Sequence, residues 1–428
     1  MSKTIYDISS EIGSGITPLR SNSAYWDSRD VPWIKTEQLG QYQIFDANEY
    51  ISKTALEETS IKLWPPKTVS VAMYGEGKTR GNASILMMHA TTNQACCNIV
   101  ADPYKADYRF LYYWLKNNYE QLRTLAAGVR KNLNSDDIKS FPFPDVNVTE
   151  QTKIADVLSS IDNAIQNNNL ICNELESMSK TLYDFWFTQF DFPNAEGKPY
   201  RTSGGEMVWN EQLKRDIPKG WNCSVIANHI GNSKSGDWGK EAATGNYLKE
   251  VICIRGADFP SINGDRILAA PTRYILEKNA NKVLSSGDII VEISGGSPTQ
   301  STGRICYINE YTIRRFDKDI ITSNFCRAFS TKKKAEQYWL YLLWKTLYDA
   351  GVLFGFEGKT TGIKNLLFDD FCAQYKIVCP EEGILEKFHK IVSPIFEKMQ
   401  QYNIENDELT KLRDWLLPML MNGQATVK

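Results

Sequence analysis

Catalytic and metal-binding side chains are sparse and widely separated in this sequence. The histidines are His89, His229 and His389. Their separation gives no local support for a zinc site or a Ser/His/Asp triad. Residues 77–79 and 358–360 read Gly-Lys-Thr, like the end of a phosphate-binding loop, but Ala72 and Leu353 stand where that loop needs its first glycine. No G-x-G-x-x-G sequence follows a predicted strand, and no acidic pair has nuclease-like spacing. Catalysis by this chain therefore has no support in the sequence.

Polar loops that mix glycine with hydroxyl, amide and basic side chains occur in both halves of the chain. Arg and Lys can bind phosphates or guanine, and Asn or Gln can bind adenine. A single loop of this kind is more simply a solvated turn, but the recurrence of such loops in both halves makes a binding role an equal alternative. The candidate DNA-binding residues are Arg20, Ser21, Asn22, Lys35, Tyr74, Lys78, Arg80, Asn82, Arg130, Lys131 and Asn132 in the first half, and Arg255, Thr299, Gln300, Ser301, Arg304, Lys359, Thr360, Lys364 and Asn365 in the second.

Length and composition indicate a soluble protein of two or three domains. The chain has 428 residues and a net charge of −2, which neither favours nucleic acid overall nor excludes a local basic face. Its nine cysteines include no C-x-x-C pair, and no signal peptide is present. Reduced, buried thiols in a cytoplasmic protein are therefore expected. The apolar segment Tyr338–Phe356 is too short and too charged to cross a membrane.

The two halves carry the same succession of predicted elements. Matching pairs are Trp33–Lys35 with Ile252–Arg255, residues 67–74 with 287–294, Thr92–Cys96 with Thr322–Cys326, and the aromatic helix near Tyr108–Leu125 with that at Tyr338–Tyr348. The aromatic side chains of these helices are expected to be core residues rather than stacking platforms. Internal duplication is the firmest structural prediction.

A seven-residue apolar repeat after each half predicts two long helices that pair with each other. One offset maps the first repeat onto the second, for example Ile154 onto Phe388 and Leu182 onto Leu416. Pro394 is expected to kink the second helix or to separate its first turns. The predicted pairing residues are Ile154, Val157, Ile161, Asn168, Ile171, Leu175, Met178, Leu182, Phe388, Ile391, Ile395, Tyr402, Leu409, Leu412 and Leu416. Polar residues near both midpoints favour an antiparallel pair.

These patterns predict an α+β fold with an internal pseudo-twofold repeat. Two similar globular domains alternate with two long helices that form an antiparallel coiled coil. The predicted segments are domain 1 at 1–148, a central helix at 149–190, a linker at 191–220, domain 2 at 221–382 and a C-terminal helix at 383–428. Such a protein can place one domain on each of two DNA half-sites, which need not be palindromic. Helix length would set their separation, at about 1.5 Å per residue.

Motifs along nearly the whole chain resemble those of the specificity subunits of type I restriction–modification systems. The motifs in the middle of the chain are Asn168–Met178, Lys180–Pro193, Gly197–Tyr200, Ser203–Gly205, Leu213–Arg215 and Ile217–Trp221. Those near its C-terminus are Glu408–Pro418 and the following Asn422–Gly423. In the first half, Tyr74–Gly75, Arg80–Gly81 and Thr92–Cys96 are similar to a target recognition domain. The resemblance implies two target recognition domains that read a split sequence in double-stranded DNA. It also implies methyltransferase subunits that bind the helices and would cover Leu158, Ile165, Leu170 and Trp186.

The resemblance further implies that this chain binds no cofactor or metal itself. S-adenosylmethionine would belong to the methyltransferase subunits, and ATP and Mg²⁺ to the partner subunits that drive restriction. A structural adaptor that binds only proteins is the alternative function. An active nuclease or methyltransferase is a third, against which the missing motifs argue.

Overall fold

The computed structural model describes residues 3–75, 77–126, 132–264, 268–295, 297, 299–358 and 363–427. The chain forms two compact units: unit 1 comprises Met1–Ile165 with Glu408–Lys428, and unit 2 comprises Gln166–Asp407. Each long helix contributes residues to both units.

Unit 1 is built on a mixed sheet. Its strands are β1 (Ser9–Ser14), β2 (Val31–Ile34), β3 (Gln43–Ile44), β4 (Glu49–Ile51), β5 (Thr68–Ala72), β6 (Ala83–Leu86), β7 (Thr91–Thr92) and β8 (Cys96–Ala101), and its helices are α1 (Lys53–Glu58), α2 (Tyr108–Asn117), α3 (Tyr119–Thr124), α4 (Ser135–Lys139) and the first part of α5 (Val148–Tyr183). Five strands run in the order β1-β8-β5-β6-β3, and a smaller sheet has the order β4-β2-β7. In the smaller sheet β2 and β7 are parallel.

The aromatic helix α2 covers the larger sheet of unit 1. Phe110 and Tyr113 are buried with Val69, Ile85 and Ile99 in one apolar cluster. The central strand β5 is buried along its whole length, which fits its run of β-branched residues. The aromatic side chains here are core residues, as predicted.

Unit 2 contains the remaining elements. Its strands are β9 (Met207–Asn210), β10 (Arg215–Pro218), β11 (Asn222–Val225), β12 (Ile230–Ser235), β13 (Tyr247–Ile254), β14 (Thr272–Leu276), β15 (Ile289–Glu292), β16 (Ser294–Gly295), β17 (Ile305–Tyr307), β18 (Ile320–Thr322), β19 (Cys326–Thr331), β20 (Glu357–Gly358), β21 (Lys364–Leu366) and β22 (Lys376–Cys379), and its helices are α6 (Phe259–Asn263), α7 (Glu310–Arg314), α8 (Gln337–Asp349), α9 (Phe368–Gln374) and most of α10 (Glu382–Met421).

The sheets of unit 2 repeat those of unit 1. The order β12-β19-β15-β17 matches β1-β8-β5-β6, and β14-β13-β18 matches β4-β2-β7. The β13–β18 pair is parallel, like its counterpart β2–β7. Gly15 and Gly236 occupy equivalent positions in the two units, and each allows a neighbouring backbone to approach closely. A Cβ at Gly15 would lie 2.1 Å from the carbonyl oxygen of Thr92, and a Cβ at Gly236 would lie 1.9 Å from that of Ser323. The predicted duplication is confirmed.

Helices α5 and α10 pair in antiparallel fashion within each unit. In unit 1, Asp162 of α5 bonds to Arg413 of α10. In unit 2, Asn168 bonds to Asn406. The chain continues from α5 as a π-helical turn, Asp184–Thr188. Helix α10 runs without interruption through Pro394, so its first turns are not a separate piece.

One of the two predicted seam positions is wrong. Ile171, Met178, Ile391 and Leu412 are between 39% and 52% exposed. Cys172, Ser179 and Val392, one residue further along, are buried instead. The helical segments also pack on the globular cores, since Trp186 and Val392 belong to the main apolar cluster of unit 2. Because each helix contacts a globular core as well as the other helix, its buried face is shifted by one residue from the predicted position.

The same packing on the globular cores changes which residues are left exposed for a methyltransferase subunit to cover. Leu158 and Trp186 are buried within their own units, whereas Leu170 is exposed and Ile165 is half-buried. In the described ranges, we find no helix that could cross a membrane.

Candidate DNA interface

Equivalent clusters of loops form in the two units around the residue that follows the central strand. In unit 1 the Met73 N–H donates to the Ala95 carbonyl at 2.8 Å, and the Leu133 N–H donates to the Met73 carbonyl at 3.0 Å. In unit 2 the Ile293 N–H donates to the Phe325 carbonyl at 2.9 Å, and the Leu366 N–H donates to the Ile293 carbonyl at 2.8 Å. Each unit thus brings together the loop after the central strand, the turn before β8 or β19, and a later segment, which in unit 2 is strand β21. We call this arrangement the loop cluster of each unit.

The later segment carries a tripeptide that occurs in both halves of the chain. Lys-Asn-Leu occurs at residues 131–133 and again at 364–366, and two aspartates follow each at the same distance. Asp136–Asp137 lie in α4, and Asp369–Asp370 lie in α9. Aligning the two halves on this tripeptide makes the candidates Lys131 and Asn132 the counterparts of the candidates Lys364 and Asn365.

In unit 1 the glycine loop after β5 is anchored by its backbone. The Tyr119 hydroxyl donates to the Lys78 carbonyl at 2.5 Å, and Arg123 Nη2 donates to the Gly77 carbonyl at 2.9 Å. The side chains of Lys78 and Tyr74 remain exposed. This loop can therefore present an ammonium group and a phenol hydroxyl without ordering its backbone on binding.

In unit 2 the corresponding loop presents Thr299 and Gln300, which are both exposed. Ser301 is only 2% exposed, so its prediction as a surface contact is wrong. The Ser301 carbonyl accepts a hydrogen bond from Tyr348 at 3.3 Å, which fixes the chain against α8. The hydroxyl is buried because this residue begins the return of the loop to β17.

Two predicted basic residues of unit 1 are neutralised by carboxylates of the same unit. Arg20 pairs with Glu49 at 2.7 Å and lies over the ring of Trp26. Lys35 pairs with Glu37 and Glu49 at 2.7 and 2.5 Å. The hydrogen bond to Glu37, and to a smaller extent the one to Glu49, raises the pKa of the Lys35 ammonium.

Basic residues of unit 2 are engaged in the same way. Arg304 makes two hydrogen bonds to the buried Glu292, at 2.8 and 2.7 Å. Arg255 makes two to Asp258, at 2.9 and 2.8 Å. Lys364 pairs with Glu357 at 3.1 Å. Such paired cations brace the loops, and they leave less charge available for DNA phosphates.

The other predicted contacts differ in exposure. Ser21 and Asn132 are exposed, whereas Asn22, Arg80, Asn82 and Asn365 are half-buried. Asn22 caps a short 3₁₀ turn by accepting the Ala24 N–H at 3.2 Å. Arg130, Lys131, Lys359 and Thr360 lie outside the described residues. Apart from Ser301, the DNA-binding assignments stay predictions.

Groups that could act as nucleophiles or metal ligands are inaccessible or scattered in the described parts of both units. All nine cysteines are free thiols, and most are buried. Burial raises the pKa of both Cys96 and Cys97 to about 12, which keeps them protonated and unreactive. In the parts of the chain that the structure describes, no three His, Cys, Asp or Glu side chains could hold a metal ion. The geometry instead favours binding by exposed loops on rigid sheets.

Comparison with known proteins identifies this architecture. Residues 2–177 match the family described as the type I restriction modification DNA specificity domain. The type I restriction enzyme MjaIX specificity subunit of Methanocaldococcus jannaschii is 27% identical over 441 aligned positions, which cover 100% of this chain and 93% of that protein. The HindI specificity subunit of Haemophilus influenzae is 22% identical, over 74% of this chain and 77% of its own.

A solved structure agrees with the fold. The crystal structure of a type I restriction–modification S subunit from M. genitalium aligns with a TM-score of 0.57 and 18% identity, covering 98% of this chain and 95% of that one. The duplicated sheets and long helices thus form a two-unit fold that is similar to the fold of that S subunit. Over its whole length the chain is similar to a specificity subunit of a type I restriction system, and residues 2–177 match the family's DNA specificity domain. Its function is sequence-specific recognition of DNA.

Proposed function

We propose that each unit of this specificity subunit reads one half of a bipartite target in double-stranded DNA through its loop cluster. The observation that carries this proposal is the repeated pair of backbone hydrogen bonds at Met73 and Ile293, which assembles equivalent loops in both units. The two units share one backbone arrangement but expose different side chains. This combination suits two domains that each recognise a different half-site. Lys78 and Tyr74 are exposed in one cluster, and Thr299 and Gln300 in the other.

The chemistry of the complex would belong to partner subunits. Methyltransferase subunits would supply the S-adenosylmethionine pocket, and restriction subunits the ATP and Mg²⁺ sites. The buried thiols and the paired basic residues of this chain suit a subunit that binds and positions without catalysis. Its cytoplasmic location and the domain boundaries given above stay predictions.

Exposed apolar side chains on the long helices are candidates for the methyltransferase contact. They are Leu170, Ile171, Met178 and Ile391 in unit 2, and Leu412 and Trp415 in unit 1. In a helical pair, outward apolar residues of this number favour a covering partner. They replace Leu158 and Trp186, which the resemblance had implied for this contact but which are buried.

Selection from random double-stranded DNA tests the proposal. The full chain would be reconstituted with its methyltransferase subunits and used to enrich bound sequences. We expect one motif of two defined parts separated by undefined positions. The methyltransferase subunits alone serve as the control and should enrich no such motif. A complex that assembles but enriches no sequence would instead support the protein adaptor.

A further inference from the structure

Phe325 projects from the loop cluster of unit 2 although its backbone is firmly held. It lies in the turn between β18 and β19, and its carbonyl accepts N–H bonds from Ile293 at 2.9 Å and Ser294 at 3.2 Å. The side chain is 56% exposed. The turn therefore fixes a large apolar ring in contact with water, where it gains little from folding.

The duplicated unit shows that this turn does not need an aromatic ring. Ala95 occupies the equivalent place in unit 1, where its carbonyl accepts the Met73 N–H at 2.8 Å. Ala95 is only 7% exposed. Because the same turn forms with a methyl side chain, the ring of Phe325 is dispensable for the local fold and is better explained by binding.

The neighbouring cleft favours a base rather than a phosphate. It has a volume of about 490 Å³ and is lined by Ser233, Ser235, Gly236, Ile293, Asn324, Cys326 and Arg327. The cationic residue in this lining, Arg327, pairs with Asp369 at 2.8 Å and lies 4.6 Å from the centre of the Phe368 ring. Its charge is therefore already neutralised by a carboxylate, which disfavours a phosphate in the cleft. Asn324 adds an amide that can bond to a base edge. An apolar ring beside an amide matches an exposed base edge that carries a methyl group.

We propose that Phe325 is a specificity-determining residue of unit 2, which packs against the C5 methyl group of a thymine in the half-site that this unit reads. Apolar contact with that methyl group distinguishes thymine from cytosine, which has only hydrogen there. Asn324 then bonds to the edge of the same or the adjacent base pair. This inference rests on the proposed function, since it assigns one contact within the unit 2 reader.

Replacing each thymine of the unit 2 half-site by uracil removes only the methyl group and tests this contact. With the wild-type complex, one such replacement should weaken binding by about fivefold or more. With Phe325→Ala the same replacement should have no further effect, and thymine should no longer be preferred over cytosine at that position. Phe325→Leu keeps an apolar side chain and should retain part of the preference.

The matched control is Phe45→Ala, because Phe45 is similarly exposed but belongs to unit 1. It should leave the uracil effect in the unit 2 half-site unchanged. Thermal unfolding of the Ala variants should match that of the wild type.

Three results would overturn the contact: a half-site without thymine, no effect of uracil at any position, or equal weakening by Phe325→Ala on all sequences. Failure of the proposed function is distinguishable, because the wild-type complex would then show no sequence preference at all.

Discussion

The side chains of Asn168 and Asn406 meet in the buried interface between α5 and α10, where Asn168 Nδ2 donates to Asn406 Oδ1 at 3.0 Å. Asn406 Nδ2 in turn donates to Asn169 Oδ1 at 2.8 Å. Both meeting side chains are buried within a helical pair whose neighbours include Cys172 and Met399. A polar pair in such a seam favours one register, because any slip leaves amides buried without partners.

Asn406→Leu should therefore destabilise unit 2 by about 1–3 kcal/mol, since Asn168 loses its acceptor and Asn169 its donor. The double variant Asn168→Leu/Asn406→Leu should recover stability, because the facing pair becomes apolar, although the Asn169 amide still lacks its donor. Urea unfolding of both variants measures the difference. A single variant as stable as the wild type would show that the amides do not depend on each other.

An ionic network in unit 1 gives a second prediction. Asp162 is buried, accepts a bond from Arg413 Nη1 at 2.7 Å and accepts another from the Tyr113 hydroxyl at 2.7 Å. Asp162→Asn should cost about 3 kcal/mol, because the largely buried guanidinium loses its main counter-charge. Tyr113→Phe should cost less, since both charges stay paired. Calorimetric unfolding checks this order, and equal effects of the two variants would contradict it.

The stability of unit 2 should depend on pH through His229. Its Nδ1 lies 2.9 Å from Glu336 Oε1. Burial alone would lower the pKa of His229, but hydrogen bonds to Cys379 and Glu336 raise it to about 9. The stabilisation is therefore complete below the unfolded pKa of about 6.5 and is lost as the pH rises towards 9.

His229→Gln should flatten the pH dependence of the unfolding free energy between pH 6.5 and 9, a span of up to about 3 kcal/mol. His89→Asn, an exposed site in unit 1, should keep the wild-type slope. Urea titrations at several pH values give the comparison. An unchanged slope in the His229 variant would assign the pH dependence to other groups.

Lys78 should contribute to DNA affinity without choosing bases. Its exposed ammonium extends from an anchored loop, so a phosphate contact is its simplest use. Lys78→Ala should weaken binding similarly for all sequences and reduce the slope of log affinity against log salt by about one. Lys53→Ala, exposed on α1 of the same unit, is the control. A change of preferred sequence in Lys78→Ala would instead make Lys78 a base contact.

Much of the fold could be predicted because apolar periodicity and internal duplication follow directly from the repeated sheets of the two units. The matched segments 67–74 and 287–294 contain the equivalent central strands β5 and β15, and the aromatic helices cover the sheets. The second helical seam was misplaced because a heptad pattern describes only the partner helix. It contains nothing about the globular core that also contacts Trp186 and Val392.

The loop residues were harder to predict because composition does not reveal which cations find internal partners. Arg304 and Arg255 look like DNA contacts by type, yet each forms two bonds to a carboxylate of its own unit. Glu292 lies 12 residues before Arg304 in the sequence, so no local charge pattern indicates that pair. Asp258 follows Arg255 by three residues, and that spacing could have indicated the second pair. The tripeptide repeated at 131–133 and 364–366 shows which residues of the two halves correspond, but this is evident only when the halves are aligned at that tripeptide.

The central claim is that the two units read separate halves of one DNA target. Its most direct test is long-read sequencing of methylated bases in cells that express this chain with its methyltransferase subunits, compared with a chain whose first unit comes from a relative. We predict one bipartite motif for the original chain, and a motif changed in one half only for the exchanged chain. A motif changed in both halves, or methylation without a bipartite motif, would contradict the account.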